Sequence, residues 1–344
     1  MPQSMIGNLQ LLRGLAAMAV VFYHTAFLLP GDIHTDFKGV ATFFVISGFI
    51  MCFISEKDPS RFFARRLLRI VPLYWVCTLA LELFTRNFGF LEVWRWHADF
   101  AQDFLRSLLF FPSQEHPLLG VGWTLNLEMY FYAIFAVALW LNTRLAPVIA
   151  GVVVLGGLAL PSLGCHLAAC EVYAHSYVWY FIWGIAVFYL WRWVASSLPR
   201  WPTIVLCWAT IALCFGIDFQ PETDWTRLAP VVLVAAALFM TSVGHDMTWK
   251  PLVVFGDASY ATYLTHTIAM HYVPPLVAAS VIAPPSTSLW SMLVVLITCQ
   301  IVGLATHLYV ERPLGRALRE RSKLRAVFFS PKIVPGNTAN RLSN

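Results

Sequence analysis

The sequence predicts an all-α membrane protein, a polytopic helical bundle with about ten transmembrane helices. Three observations carry this prediction. Of the 344 residues, 59% are hydrophobic and 12% charged, and a soluble domain carries about 25% charged residues. Apolar runs of about 17–25 residues, long enough to cross a bilayer, recur along the chain. They do not alternate strictly, which favours helices over a closed barrel, the other fold that satisfies its backbone in lipid. Finally, the basic residues fall on one side. With the N-terminus in the cytoplasm, 17 of the 23 Lys and Arg lie in inner loops and tail and 5 outside, with Arg13 inside the first span. That asymmetry puts both termini in the cytoplasm.

The spans run 8–29, 38–55, 67–85, 119–141, 145–163, 174–193, 201–217, 227–243, 254–280 and 288–310. The first is expected to be retained: no small-residue cleavage site follows it, and Leu29-Pro30-Gly31-Asp32 reads as a turn. Between the third and fourth, Trp96, Phe100, Phe104, Leu108 and Phe111 recur about every four residues, which predicts an amphipathic helix lying on the outer surface. In the ninth, Pro274-Pro275 is expected to break the helix or turn it out of the membrane. Residues 1–313 form one membrane domain. The basic tail, 314–344, is expected to be largely disordered and held near anionic lipid, with no nucleic-acid partner and no soluble domain after it.

Five of the seven cysteines sit in spans as small hydrophobes. Cys165 and Cys170 share an outer loop, where an oxidising compartment permits a disulfide. A helical i,i+5 spacing would oppose one, so the sequence leaves that bridge open. The ten histidines are scattered without ligand spacing, and no metal centre is expected.

The chemistry gathers on a few polar residues inside apolar helices. Arg13 and His24 are eleven residues apart on the first span, within about 20° of the same helix face and roughly 16 Å apart along it. A charge in a span costs at least ~2.5 kcal/mol, so such residues face protein or water and usually mark function. Arg65, Arg66 and Arg69, spaced three and four apart, share a face at the cytoplasmic edge and make a phosphate site or a lipid anchor. Glu128 in the fourth span reaches a depth comparable to His24, where a carboxylate would orient an imidazole general base. The alternatives are a structural ion pair with Arg13, or a carboxylate that lines water alone. Ser259, Tyr263 and His266 fall at i, i+4 and i+7 on the ninth span and form one polar face. Ser47-Gly48 lets the second span approach a neighbour or a ligand closely.

These strings resemble the acyltransferase 3 family of integral membrane O-acyltransferases, and within it the exopolysaccharide acetyltransferase branch. The resemblance lies in Arg13 with His24, Phe43-Phe-Val-Ile-Ser-Gly-Phe49, Arg65-Arg-Leu-Leu-Arg69 with Pro72, Trp123-Thr-Leu with Glu128, Gly256-Asp-Ala-Ser-Tyr260 with His266, and Glu311-Arg312-Pro313. It implies a ten-span fold that takes an acyl group from acyl-CoA in the cytoplasm and delivers it to a saccharide hydroxyl outside. It also implies that Arg13 and His24 are the essential pair and that Arg65, Arg66 and Arg69 meet the donor. Acetyl-CoA is then a co-substrate, no cofactor is permanently bound, and the lipid bilayer is the other partner. Many relatives carry an acid shortly after the glycine of Gly39-Val40, where this chain has Ala41 and Thr42. With that resemblance, His24, Arg13 and Glu128 are the catalytic candidates, Ser259, Tyr263 and His266 join the arginines at the donor, and Ser47, Trp123 and Tyr260 are candidates to line the acceptor path. The competing reading is a saccharide transporter, but no internal repeat or matched pair of broken helices supports it.

Overall fold

The computed structural model describes residues 7–26, 38–57, 59, 62–88, 100–217, 224–279 and 289–329, and every regular element among them is helical. In order these are α1 (Gly7–Thr25), α2 (Gly39–Lys57), α3 (Phe62–Phe88), α4 (Phe100–Leu108), α5 (Gly122–Leu141), α6 (Ala146–Ala159) and α7 (Ala168–Tyr173). There follow α8 (Trp179–Val194), α9 (Arg200–Ile217), α10 (Asp224–Ser242), α11 (Lys250–Asp257), α12 (Ser259–Ala279), α13 (Leu289–Thr306) and α14 (Arg312–Phe329). Among the described residues, four stretches are long and apolar enough to cross a bilayer: Gly39–Glu56, Gly122–Leu141, Ser176–Ser197 and Leu289–Glu320. Ala146–Ala159, Arg200–Cys214 and Arg227–Ser242 are apolar but shorter.

The ninth expected span departs from its sequence reading. It is two helices, α11 and α12, with the break at Ala258. The break lets α11 press on α1: a Cβ on Gly256 would stand 2.0 Å from the Gln10 carbonyl oxygen. Pro274-Pro275 does not end the second piece, since α12 continues to Ala279. Neighbouring helices in a membrane bundle supply the support a proline withdraws. Pro72 likewise sits inside the continuous helix α3. A π turn, His307–Glu311, joins α13 to α14, so the basic tail begins as a helix that runs to Phe329. Its Leu, Arg, Lys and Glu residues are good helix formers, and 330–344 lie outside the described residues.

The expected surface helix is α4, with Trp96 outside the described residues. It hangs on α3 through Tyr74 Oη and Ser107 Oγ, 2.8 Å apart, and through Trp75 Nε1, which donates to the Leu108 carbonyl at 2.9 Å. Leu105 and Leu109 remain exposed, at 57% and 67%. The Cys165–Cys170 bridge is present, with Cα atoms 6.1 Å apart. The two cysteines do not share one helix: Gly164 turns the chain at φ +90°, and α7 starts only at Ala168.

Two packing devices position the site. At the start of α1, Asp246 accepts from the backbone N–H of Gly7 at 3.1 Å and of Asn8 at 2.9 Å, which places an anion against unpaired N–H groups at a helix N-terminus. Asn8 returns the contact, its Nδ2 donating to the His245 carbonyl at 2.7 Å and its Oδ1 accepting from Met247 N at 3.0 Å. The register of α1, and so the depth of Arg13 and His24, is fixed there. The second device joins α2 to α8. A Cβ on Gly48 would lie 2.2 Å from the Phe181 carbonyl oxygen, and one on Gly184 would lie 2.2 Å from that of Val45. Only two glycines let these backbones meet. Around the seam, Phe44, Phe181 and Phe131 stack at centroid distances of 4.5 and 4.3 Å.

Candidate active site

Between α1, α2, α3, α5 and α12 lies a cavity of about 80 Å³. Its polar wall holds Arg13, Ser47, Arg66, Arg69 and Glu128, with Thr124, Tyr132, Tyr260 and Tyr263 beside them. Phe43, Phe44, Ile46 and Ile50 of α2 line its apolar side. Arginines from two distant parts of the sequence thus share one space with a carboxylate, a donor set suited to a phosphorylated or otherwise anionic ligand.

Each polar group in the wall has a local cause. Arg13 is 7% exposed, and its Nη1 donates to Gln10 Oε1 at 2.9 Å, one turn earlier on α1. Gln10 Nε2 donates in turn to Asp257 at the end of α11. Asp257 also lies 3.7 Å from the Arg312 guanidinium at the head of α14. Three residues from three parts of the chain, Gln10, Asp257 and Arg312, therefore form the network around one buried guanidinium. Arg66 is equally buried, at 7% exposure. Glu128 accepts from Ser47 Oγ at 3.0 Å and from the Tyr132 hydroxyl, one helical turn on. Tyr260 donates to the Ile70 carbonyl at 2.8 Å and ties α12 to α3. Tyr263 Oη stands 2.8 Å from Thr124 Oγ1 and ties α12 to α5.

His24 lies outside this cavity. It is exposed, and its ring stands 5.3 Å from that of His266. His266 is fully buried, and its ring is 5.9 Å from Tyr263. His266 Nδ1 is 2.7 Å from the Tyr263 carbonyl oxygen, which only accepts, so Nδ1 carries the proton. Its Nε2 has no partner in the described structure. The line His24–His266–Tyr263 leads from the far end of α1 to the cavity.

The expected meeting of His24 with Glu128 does not occur. Glu128 is satisfied by Ser47 and Tyr132 and belongs to the arginine cavity, while His24 is partnered by His266. Depth along separate helices was a poor guide: Thr124 of α5 pairs with Tyr263, three residues before the His266 that meets His24, and Glu128 lies one turn farther along α5, beside Tyr260 in the cavity. The arginine trio also divides. Arg66 and Arg69 line the cavity, whereas Arg65 is exposed and does not. Ser47, Tyr260 and Tyr263 line it too; Ser259 is buried behind it, its Oγ without a partner in the described structure. Trp123 lies beyond it, against His175 and Tyr177. Sequence reasoning missed Gln10 and Tyr132. Both were visible as polar residues one helical turn from Arg13 and Glu128, at i−3 and i+4.

Comparisons with known proteins identify the family. The family model described as an acyltransferase domain matches residues 6–305. Over 301 residues the chain is 32% identical to the exopolysaccharide production protein ExoZ of Rhizobium meliloti, covering 82% of this chain and 90% of that one. A protein of Komagataeibacter xylinus named as a membrane-bound transacylase, BcsY, is 30% identical over 332 residues, 88% of this chain and 81% of its own. Nodulation protein 10 of Rhizobium leguminosarum bv. viciae is 27% identical over 310 residues, 77% of this chain and 83% of its own. No solved structure matches.

Proposed function

Because the chain belongs to the acyltransferase 3 family, we propose that it is a membrane O-acyltransferase. It takes an acetyl group from acetyl-CoA on the cytoplasmic side and esterifies a sugar hydroxyl of an exopolysaccharide, or of its lipid-linked precursor, on the outer side. The names of the relatives support a polysaccharide product. The observation that carries the donor is the cavity shared by Arg13, Arg66 and Arg69, which suits the phosphates of CoA. About ten spans with both termini in the cytoplasm of a bacterial inner membrane complete the reading. Four span-length apolar stretches and three shorter apolar helices among the described residues support that reading.

On this reading the phosphates dock at Arg66 and Arg69, and the pantetheine arm runs past Arg13 and Tyr263 toward the histidines. His24 lies roughly 16 Å along α1 from Arg13. There His24 takes the proton of the acceptor hydroxyl, the oxygen attacks the thioester carbonyl, the C–S bond breaks, and the CoA thiolate recovers the proton. In the covalent variant the His24 imidazole attacks the thioester carbonyl and the CoA thiolate leaves; the acceptor hydroxyl then displaces the imidazole, and its proton goes to the thiolate. His266 supports the His24 ring in both. Glu128 holds the donor cavity together rather than orienting the base.

The test uses the purified full chain in detergent with radiolabelled acetyl-CoA. His24→Ala should abolish transfer while the folded protein still binds acetyl-CoA. Transfer at a near wild-type rate in folded His24→Ala would refute the role and move the base to His266.

A further inference from the structure

At the end of the bundle where α5 begins, three aromatic rings gather that the chemistry above does not use. The Trp123 ring lies 5.1 Å from that of His175 and 5.8 Å from that of Tyr177, and the latter two are 5.3 Å apart. Tyr177 meets Phe44 at 6.1 Å. Phe44 lines the arginine cavity together with Thr124, the residue after Trp123. The cluster therefore stands one side chain beyond the cavity's Thr124 end.

The turn that carries His175 and Tyr177 is anchored in advance. Cys165 and Cys170 are bonded just before it. Gln114 donates to Glu171, and Tyr173 stacks on Tyr130 at 4.1 Å with planes 8° apart. Two hydrogen-bond donors are left over. The backbone N–H of Tyr177 donates to His175 Nδ1 at 3.3 Å, so the ring is neutral and its proton sits on Nε2. That nitrogen bonds nothing among the described residues, and His175 is exposed. The Trp123 indole N–H also makes no hydrogen bond among the described residues.

We propose that Trp123, His175 and Tyr177 form the acceptor subsite and that they receive a saccharide ring. The assignment rests on the sugar-acylating reading given above. A pyranose presents C–H groups on its faces and hydroxyls around its rim. The faces match aromatic rings, and the rim matches the two N–H donors. A lipid chain would cover the rings and strand those donors, which is unfavourable once water is excluded.

The test measures two things in the same variants: acetyl-CoA binding by the purified chain, and the ester content of the polysaccharide from cells, by mass spectrometry. His175→Ala should lower ester content about tenfold, the scale of one lost hydrogen bond, with protein level and acetyl-CoA affinity unchanged. His175→Asn, which keeps both an acceptor for the turn and an N–H donor, should recover much of the loss. Trp123→Phe keeps a ring without the indole N–H and should fall between. Wild-type ester content in both His175→Ala and Trp123→Phe overturns the subsite, as does a matching fall in acetyl-CoA affinity. A wild-type polysaccharide free of esters overturns the acylation reading itself, and the subsite with it.

Discussion

Arg65 and Arg66 are neighbours in sequence and identical in chemistry, yet the fold gives them different work. Arg66 is 7% exposed and lines the cavity, while Arg65 is exposed and does not. Changing Arg66 to Lys keeps the charge and loses the planar fork that grips a phosphate through two bonds. Isothermal titration with acetyl-CoA should show Arg66→Lys weakened by about 1.5–3 kcal/mol, the range for hydrogen bonds to charged groups. Arg65→Lys should bind as the wild type does. Unchanged acetyl-CoA affinity in both variants would return the trio to the role of a lipid anchor. Gln10 offers a second contrast. It links Arg13 to Asp257, so Gln10→Leu leaves a buried guanidinium and a carboxylate short of a partner. Activity should fall at least tenfold, about one lost hydrogen bond, with His24 untouched.

At the scale of the element, the α2–α8 seam is where the fold is least forgiving. Gly48 and Gly184 each face a backbone carbonyl with no room for a side chain. Gly48→Leu forces the helices apart, and overpacking of a tight contact costs about 1–3 kcal/mol. Thermal unfolding in detergent should show a lower midpoint. It should also show weaker acetyl-CoA binding, because Ser47, Ile46 and Ile50 on the same turns of α2 line the cavity. An unchanged midpoint would mean that the seam opens freely. The break between α11 and α12 has the opposite character. It starts α12 beside Asp257 and aims Tyr260 and Tyr263 at two different neighbours, α3 and α5.

For the whole molecule, orientation rests on charge. Reporter fusions placed after Asn142 and after Asn344 should both report the cytoplasm, and a periplasmic signal at either would overturn the span order. The exposed tryptophans fit the same frame. Trp140, Trp193, Trp201 and Trp249 are 84%, 81%, 71% and 63% exposed, and each lies within four residues of Arg144, Arg192, Arg200 or Lys250. They sit at the helix ends assigned to the cytoplasmic side, where amphipathic rings and basic side chains meet lipid headgroups.

The helical class, the membrane setting and most of the polar residues of the site were legible in the chain, because lipid leaves an apolar sequence few folds and makes every buried polar residue conspicuous. Helical spacing also put Arg13 with His24 on one face, and Tyr263 with His266. What spacing cannot carry is which face meets which. Glu128 belongs with Ser47 and Tyr132 rather than His24 because α5 meets α12 through Thr124 and Tyr263, one turn before Glu128. His24 belongs with His266 because the capped N-terminus of α1 fixes its height against α12. Arg65 and Arg66 part company because one residue is about 100° of helix rotation. Each of these was decided by helix offsets and close backbone contacts between distant segments, which one-dimensional periodicity does not contain.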